Sequence, residues 1–252
     1  MTHIVREEHD GILILKLASG KANALHAAML DEIGTALQEA AAPAVRGIVL
    51  ASDRPRFFSA GFDLHEVFQY DRSKMEAFFG RFIDLYEQLL RYPKPVVAAL
   101  NGHTVAGGAV LALTADQRVM AEGDYAFALN EVKIGVALPA GVLRMAVAAA
   151  GFRAASNLVL TGASISPTRA LDLGLVHALA PPEDVLEQAL VRARNLVQQP
   201  PRAFAAIKQM LRREAGFSEQ GTDRGNLGTF LDHWFSRESM EARQALAQSI
   251  RR

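Results

Sequence analysis

The chain has 252 residues, no cysteine, and 27 basic against 27 acidic side chains, for a formal net charge of +0. The missing cysteine excludes disulfides, a thiolate nucleophile and any Cys-ligated zinc or iron–sulfur centre. The neutral balance argues against coating nucleic acid or an anionic membrane by bulk charge, while 50% hydrophobic and 21% charged residues describe a folded chain and not a disordered one.

The opening MTHIVREEHDG is polar, mixed in charge and without the apolar stretch of a signal peptide. No uninterrupted apolar run approaches the roughly 20 residues that span a bilayer, so the expectation is a soluble, cytoplasmic protein. ILILKL at 12–17 predicts a buried strand. Leu25, Met29, Ile33 and Leu37 form one apolar stripe on a helix over 25–41. AVRGIVL at 44–50 predicts a second strand, and ASDRPRFFSAGFDL at 51–64 predicts an irregular stretch. Phe78, Phe82, Leu85 and Leu89 mark a helix over 73–91 that Pro93 and Pro95 end. PVVAALNG at 95–102 predicts a third strand, AGGAVLALTAD at 106–116 a helix, and 117–121 and 125–128 short strands. Helical patterns dominate from 140 onward, broken at Gly151, Gly162, Pro167 and Gly174, with one short strand near 175–179. No internal repeat is visible. The order predicts an α/β core with right-handed crossovers and a helical tail, with the boundary at Pro181-Pro182.

Several common motifs are absent. Gly102–Gly108 lacks the Gly-Lys-Ser/Thr ending of a phosphate loop, Ser59 lacks the first glycine of a nucleophile elbow, and the seven histidines show no metal-binding spacing. His65 and His103 are expected to be structural.

Three segments carry more information. In FSAGFDL at 58–64, the amide of Phe62 follows the permissive Gly61, where backbone can approach a ligand closely. In NGHTVAGGAVLAL at 101–113, Gly107 and Gly108 open a helix, whose first N–H groups have no partner within it and favour negative charge. Two such amides aimed at one point would make an oxyanion hole; an ordinary glycine turn with close packing is the other reading. In FALNEVKIGVALPAG at 127–141, Glu131 lies among Leu129, Val132 and Ile134. An apolar setting would raise its pKa and suit it to proton transfer, whereas a surface glutamate at a turn would do nothing.

In order and spacing, NAL, FSAGFDL, NGxxxxGG and NEVKIG together resemble the enoyl-CoA hydratase/isomerase, or crotonase, family over nearly the whole chain. The resemblance implies a spiral of ββα units over residues 1–181 and a C-terminal helical trimerisation region over 182–252. It implies an acyl-CoA thioester substrate, no cofactor, no metal, no nucleic-acid or membrane partner, and a homotrimer or hexamer. By motif position, the amides of Phe62 and Gly107 correspond to the oxyanion hole, and Glu131 to a catalytic carboxylate. Ala22, Ala24, Ser59, Ala60, Asp63, Leu64 and Val110 fall on the CoA-ester groove, and Lys208 resembles a tail lysine that reaches CoA phosphate. Lys21 and Arg56 are further candidate cations. Val67, Phe68, Phe79, Phe82, Val110 and Leu138 are expected in the acyl pocket, and the amphipathic tail around Phe230, Trp234 and Phe235 is compatible with a partner-facing surface.

One departure separates the subclasses. Hydratases of this family carry a second glutamate three residues after the oxyanion-hole glycine, where this chain has Val110. Hydration needs water activated and a proton delivered, whereas moving a double bond from C3 to C2 needs one base. The pattern is similar to Δ3,Δ2-enoyl-CoA isomerases. A hydratase, another lyase or a hydrolase using one carboxylate is the alternative. A non-catalytic or RNA-binding member is the remote one.

Overall fold

The buried apolar runs of the sequence lie side by side in the computed structural model, which describes residues 2–217 and 223–250. β1 (Ile4–His9), β2 (Ile12–Leu17), β3 (Gly47–Ser52), β5 (Val96–Leu100), β7 (Gln117–Ala121) and β9 (Ala178–Ala180) form one sheet in that order. β1 and β2 are antiparallel, with Ile4 opposite Leu17, and every later pair is parallel. A second, parallel sheet holds β4 (Phe57–Ser59), β6 (His103–Val105) and β8 (Phe127–Ala128).

Strands β3 and β5 read as continuous apolar runs because both faces of the large sheet are covered. Ile48, Leu50, Val96 and Ala98 join the core with α1 (Ala27–Glu39) and α3 (Arg72–Leu90). The alternate residues Val49, Ala51, Val97 and Ala99 meet Val185, Ala189, Leu190 and Ala193 of α7 (Val185–Val197). Helix α7 follows Pro181-Pro182, so that boundary does not divide the hydrophobic core.

The chain is a spiral. A large-sheet strand, a small-sheet strand and a helix recur as β3-β4-α3, β5-β6-α4 and β7-β8-α5, where α4 is Gly107–Thr114 and α5 is Ala140–Thr161. Each turn lays one strand parallel to its predecessor in each sheet. The crotonase-type spiral that the resemblance implied is therefore present.

The small sheet is what the sequence pattern hid. The stretch 51–64, expected to be irregular, contains β4 and enters the short helix α2 (Leu64–Val67), and β6 begins directly after Gly102. Three-residue strands are too short to show a period. β1 carries no strand signal of this kind, since five of its six residues are exposed at the sheet edge and three of them, Arg6, Glu7 and Glu8, carry charge.

Among the described helices, α5 alone is long and apolar enough to cross a membrane by length and composition. Gly151 breaks it with φ +73° and ψ 159°, leaving two segments of roughly 15 Å each, about half of a hydrocarbon core. After α6 (Pro167–Asp172), α7 and α8 (Pro201–Glu214), the chain returns as α9 (Leu227–Trp234) and α10 (Arg237–Ile250). Phe230 and Trp234 of α9 are buried within this chain and Phe235 packs partly against the same core. The expectation of a partner-facing aromatic surface fails for these residues, because α9 spends its apolar stripe on α3.

Candidate active site

Each element of the site begins with a local backbone demand. Between β4 and α2, Gly61 adopts φ +88°, and a Cβ there would lie 2.9 Å from the Ala106 Cβ and 3.2 Å from the Gly107 nitrogen. Only glycine permits both the dihedral and the approach. The Leu25 N–H donates to the Gly61 carbonyl at 2.7 Å and the Asp63 N–H to the Leu25 carbonyl at 2.9 Å. This parallel bridge between Leu25 and Phe62 turns the Phe62 N–H away, and it meets no acceptor among the described residues.

The second amide comes from the start of α4. Ala106 donates to the Ala128 carbonyl at 2.8 Å and adopts φ +49° and ψ −124°, so the chain swings sharply from β6 into the helix. No side chain caps this N-terminus, and the Gly107 N–H has no acceptor among the described residues. Strain of this kind persists only where surrounding structure enforces it. Gly108 permits the close packing of the turn, since a Cβ on it would sit 2.6 Å from the Ser59 carbonyl oxygen.

Glu131 opens a 3-10 turn, Glu131–Ile134, just after β8. The residue as a whole is half-buried because its turn borders the cavity, but its Oε2 is enclosed and has no hydrogen-bond partner. Burial raises its pKa from the ordinary 4.5 to about 7. α10 buttresses the turn, with Ser239 Oγ donating to the Ile134 carbonyl at 2.8 Å.

Phe62, Gly107 and Glu131 all line one cavity of about 480 Å³, a size typical of small-molecule sites. Of the sequence-predicted contacts, Ala22, Ala24, Ala60, Asp63, Leu64 and Val110 line it, as do Phe79, Phe82 and Leu138 of the expected acyl pocket. Val67 and Phe68 do not.

Two predicted contacts lie elsewhere. Ser59 is fully buried behind the wall, where its Oγ donates to the Asn23 carbonyl at 2.8 Å and accepts from the Gly61 N–H at 3.2 Å. It shapes the turn instead of touching a ligand. Lys208 is buried against Asp116, at 2.7 Å, and borders a different cavity. Lys21 and Arg56 are exposed and do not line the site. His103 is structural as expected, its Nδ1 accepting from the Ala126 N–H at 3.1 Å, but His65 borders the cavity with Lys133 and Asn130. The sequence reading also missed Phe230 and Trp234 as lining residues. Their four-residue spacing marks a helix stripe, and nothing local says what it covers. Among the described residues there is no cluster of three His, Asp or Glu that could hold a metal.

The arrangement offers two free amides, one carboxyl group near neutrality and a mostly apolar wall. Such a site can hold a developing oxyanion while a proton moves on the adjacent carbon. The enoyl-CoA hydratase/isomerase family model matches residues 7–247. The chain belongs to that family. It is 28% identical over 243 residues to rat mitochondrial enoyl-CoA delta isomerase 1, covering 94% of this chain and 83% of the relative. It is 32% identical over 214 residues to 2,3-dehydroadipyl-CoA hydratase of Escherichia coli K12, covering 84% and 82%. The crystal structure of human mitochondrial delta3-delta2-enoyl-CoA isomerase superposes with a TM-score of 0.94 at 26% identity, covering 99% and 98%. Both isomerases and hydratases thus stand among the family relatives.

Proposed function

We propose that this family member is a Δ3,Δ2-enoyl-CoA isomerase that uses Glu131 as its single acid/base. The observation that carries the reading is the unpartnered Glu131 Oε2 in the same apolar cavity as the free Phe62 and Gly107 amides. Val110, only 1% exposed, stands where a hydratase has its second glutamate. The one other carboxylate among the described cavity residues, Asp63, is committed to capping α2, with Oδ1 accepting from the His65 and Glu66 amides at 2.9 and 3.3 Å.

In this mechanism the thioester carbonyl oxygen lies between the two amides. The Glu131 carboxylate removes a proton from C2, and the electron pair moves onto the thioester oxygen to give a dienolate. The amides and the N-terminal end of the α4 dipole stabilise that charge. The carboxyl group then returns the same proton at C4, the double bond settles between C2 and C3, and Glu131 is again ionised. A pKa of about 7 suits a group that must both take and return a proton near neutrality.

Glu131→Gln should lower kcat for 3-enoyl-CoA by roughly 10²–10⁴-fold while acyl-CoA affinity by calorimetry stays near normal. For the unaltered enzyme, kcat/KM should rise with pH and level off above about 7, because the free enzyme must hold Glu131 ionised. An active Glu131→Gln enzyme, or rapid hydration of crotonyl-CoA, would refute the assignment.

A further inference from the structure

The cavity has a wet end and a dry end. His65 and Lys133 border it where they are exposed to solvent, whereas Phe79, Phe82, Phe230 and Trp234 close it where exposure is between 2% and 4%. If the thioester sits at the Phe62 and Gly107 amides, a CoA moiety leaves through the wet end and the acyl chain runs toward the aromatic residues.

One of these, Trp234, is clamped from two sides. Phe230 stacks nearly flat on Phe79, with centroids 3.4 Å apart and planes at 9°, and stacks on Trp234 at 5.8 Å and 25°. On the other side, the Arg243 guanidinium of α10 lies 4.0 Å from the Trp234 ring centroid and also faces Phe68 at 5.3 Å. Arg243 is itself buried, and it donates to the Trp234 carbonyl at 2.6 Å and to the Ser239 carbonyl at 3.2 Å. Swinging the indole aside would break a buried cation–π contact and leave a guanidinium short of a partner. A flexible side chain here would yield to a longer ligand, whereas this one is held.

Resting on the acyl-CoA reading above, we infer that Trp234 is the length gauge of the site, the wall at which the far end of the acyl chain stops, and that Arg243 is the positioning residue that makes the wall rigid. The substrate class is therefore acyl-CoA thioesters up to a limiting length, beyond which added CH₂ groups gain no affinity.

Trp234 is the only tryptophan of the chain, so the unaltered protein reports the contact directly. Saturated acyl-CoAs of increasing length would be titrated by calorimetry and by tryptophan emission. The Kd is expected to fall about fourfold per added CH₂, equivalent to roughly 0.8 kcal/mol, until a limiting length. Beyond it the Kd should stop falling, and emission should first shift at that same length. Trp234→Ala should move the limit to longer chains. Trp234→Phe, which keeps a ring in the core, should move it by a smaller step, and Arg243→Met should blur the limit, read as a shallower break in Kd against chain length. A Kd that keeps falling with length, an emission that responds to free CoA alone, or a limit unchanged in the Trp234→Phe enzyme would overturn the gauge. Saturated chains have no double bond to move. A clear limit without turnover of 3-enoyl-CoA would therefore sink the isomerase reading alone, and turnover without a limit would sink the gauge alone.

Discussion

The two ends of helix α4 are treated oppositely. At the C-terminal end, the buried Arg118 donates to the carbonyls of Ala112, Leu113 and Ala115 at 3.4, 3.4 and 2.6 Å, and Arg212 donates to that of Thr114 at 3.1 Å. Asp116 ties Arg212 and Lys208 to the same knot. At the N-terminal end, no side chain caps the helix, Ala106 is held at φ +49°, and the Gly107 amide is left open. One end satisfies its backbone with cations where the dipole is negative. The other keeps donors unsatisfied where the dipole is positive. All eight residues between are buried, so the helix is a fixed rod with its backbone satisfied at one end and an open amide at the other.

This contrast can be broken at either end. The largest effect is expected at the reactive one. Gly61→Ala forces a Cβ against Ala106 and the Gly107 amide, misplacing the amide proposed as an oxyanion donor. The expected loss is about 10²–10³-fold in kcat, roughly 3–4 kcal/mol of barrier, read by steady-state kinetics with 3-enoyl-CoA. A near-normal rate would mean that these amides do not hold the oxyanion.

At the anchored end, Arg118→Met removes the donor to the α4 carbonyls of Ala112 and Leu113, to that of the C-cap Ala115, and to Leu175, whose carbonyl it meets at 2.6 Å. A cost of about 3 kcal/mol in urea unfolding is expected, with kcat of the folded fraction within a few-fold of normal. An effect below that of a surface substitution would remove the basis for calling this end the anchor.

The charge on Glu131 makes the reactive end costly in a pH-dependent way. Its pKa is raised from 4.5 to about 7, so between these values the folded state binds the proton more tightly than the unfolded state. Stability therefore falls as pH rises through that window. Glu131→Gln should stabilise the protein by on the order of 2–3 kcal/mol at pH 8, and the gain should vanish as pH falls toward 4.5. A gain independent of pH would show that desolvation of the carboxylate is not its source. The smallest effect belongs to Ser59→Ala, which loses the hydrogen bonds to Asn23 and Gly61. A cost of about 1 kcal/mol is expected, with KM nearly unchanged because Ser59 does not face the ligand.

The same contrast shows why some of the site was legible and some was not. Gly61, Gly107 and Glu131 could be singled out because their demands are local: a positive φ, a helix start after a strand, a carboxylate among aliphatic neighbours. Lys208 was misplaced because an amphipathic helix presents a lysine in the same way whether it meets a ligand, solvent or Asp116. Ser59 was misplaced because motif position says that a residue is near the ligand and not which side of the turn its hydroxyl takes.

Sequence alone determined the strand and helix core of the first half, the chemistry available without thiols, and the three groups that could carry it. Periodicity and glycine placement report how each short segment must be buried and bent, and that information is local. Tertiary structure decided the rest. It stacked the small sheet from strands too short to show a period, brought the Phe62 and Gly107 amides and Glu131 onto one cavity, sent Lys208 to the far end of α4, and folded α9 back as the cavity's aromatic wall. Each depends on which distant segment covers a given face. The spiral settles that by laying every turn against the one before, and no residue's immediate neighbours record it.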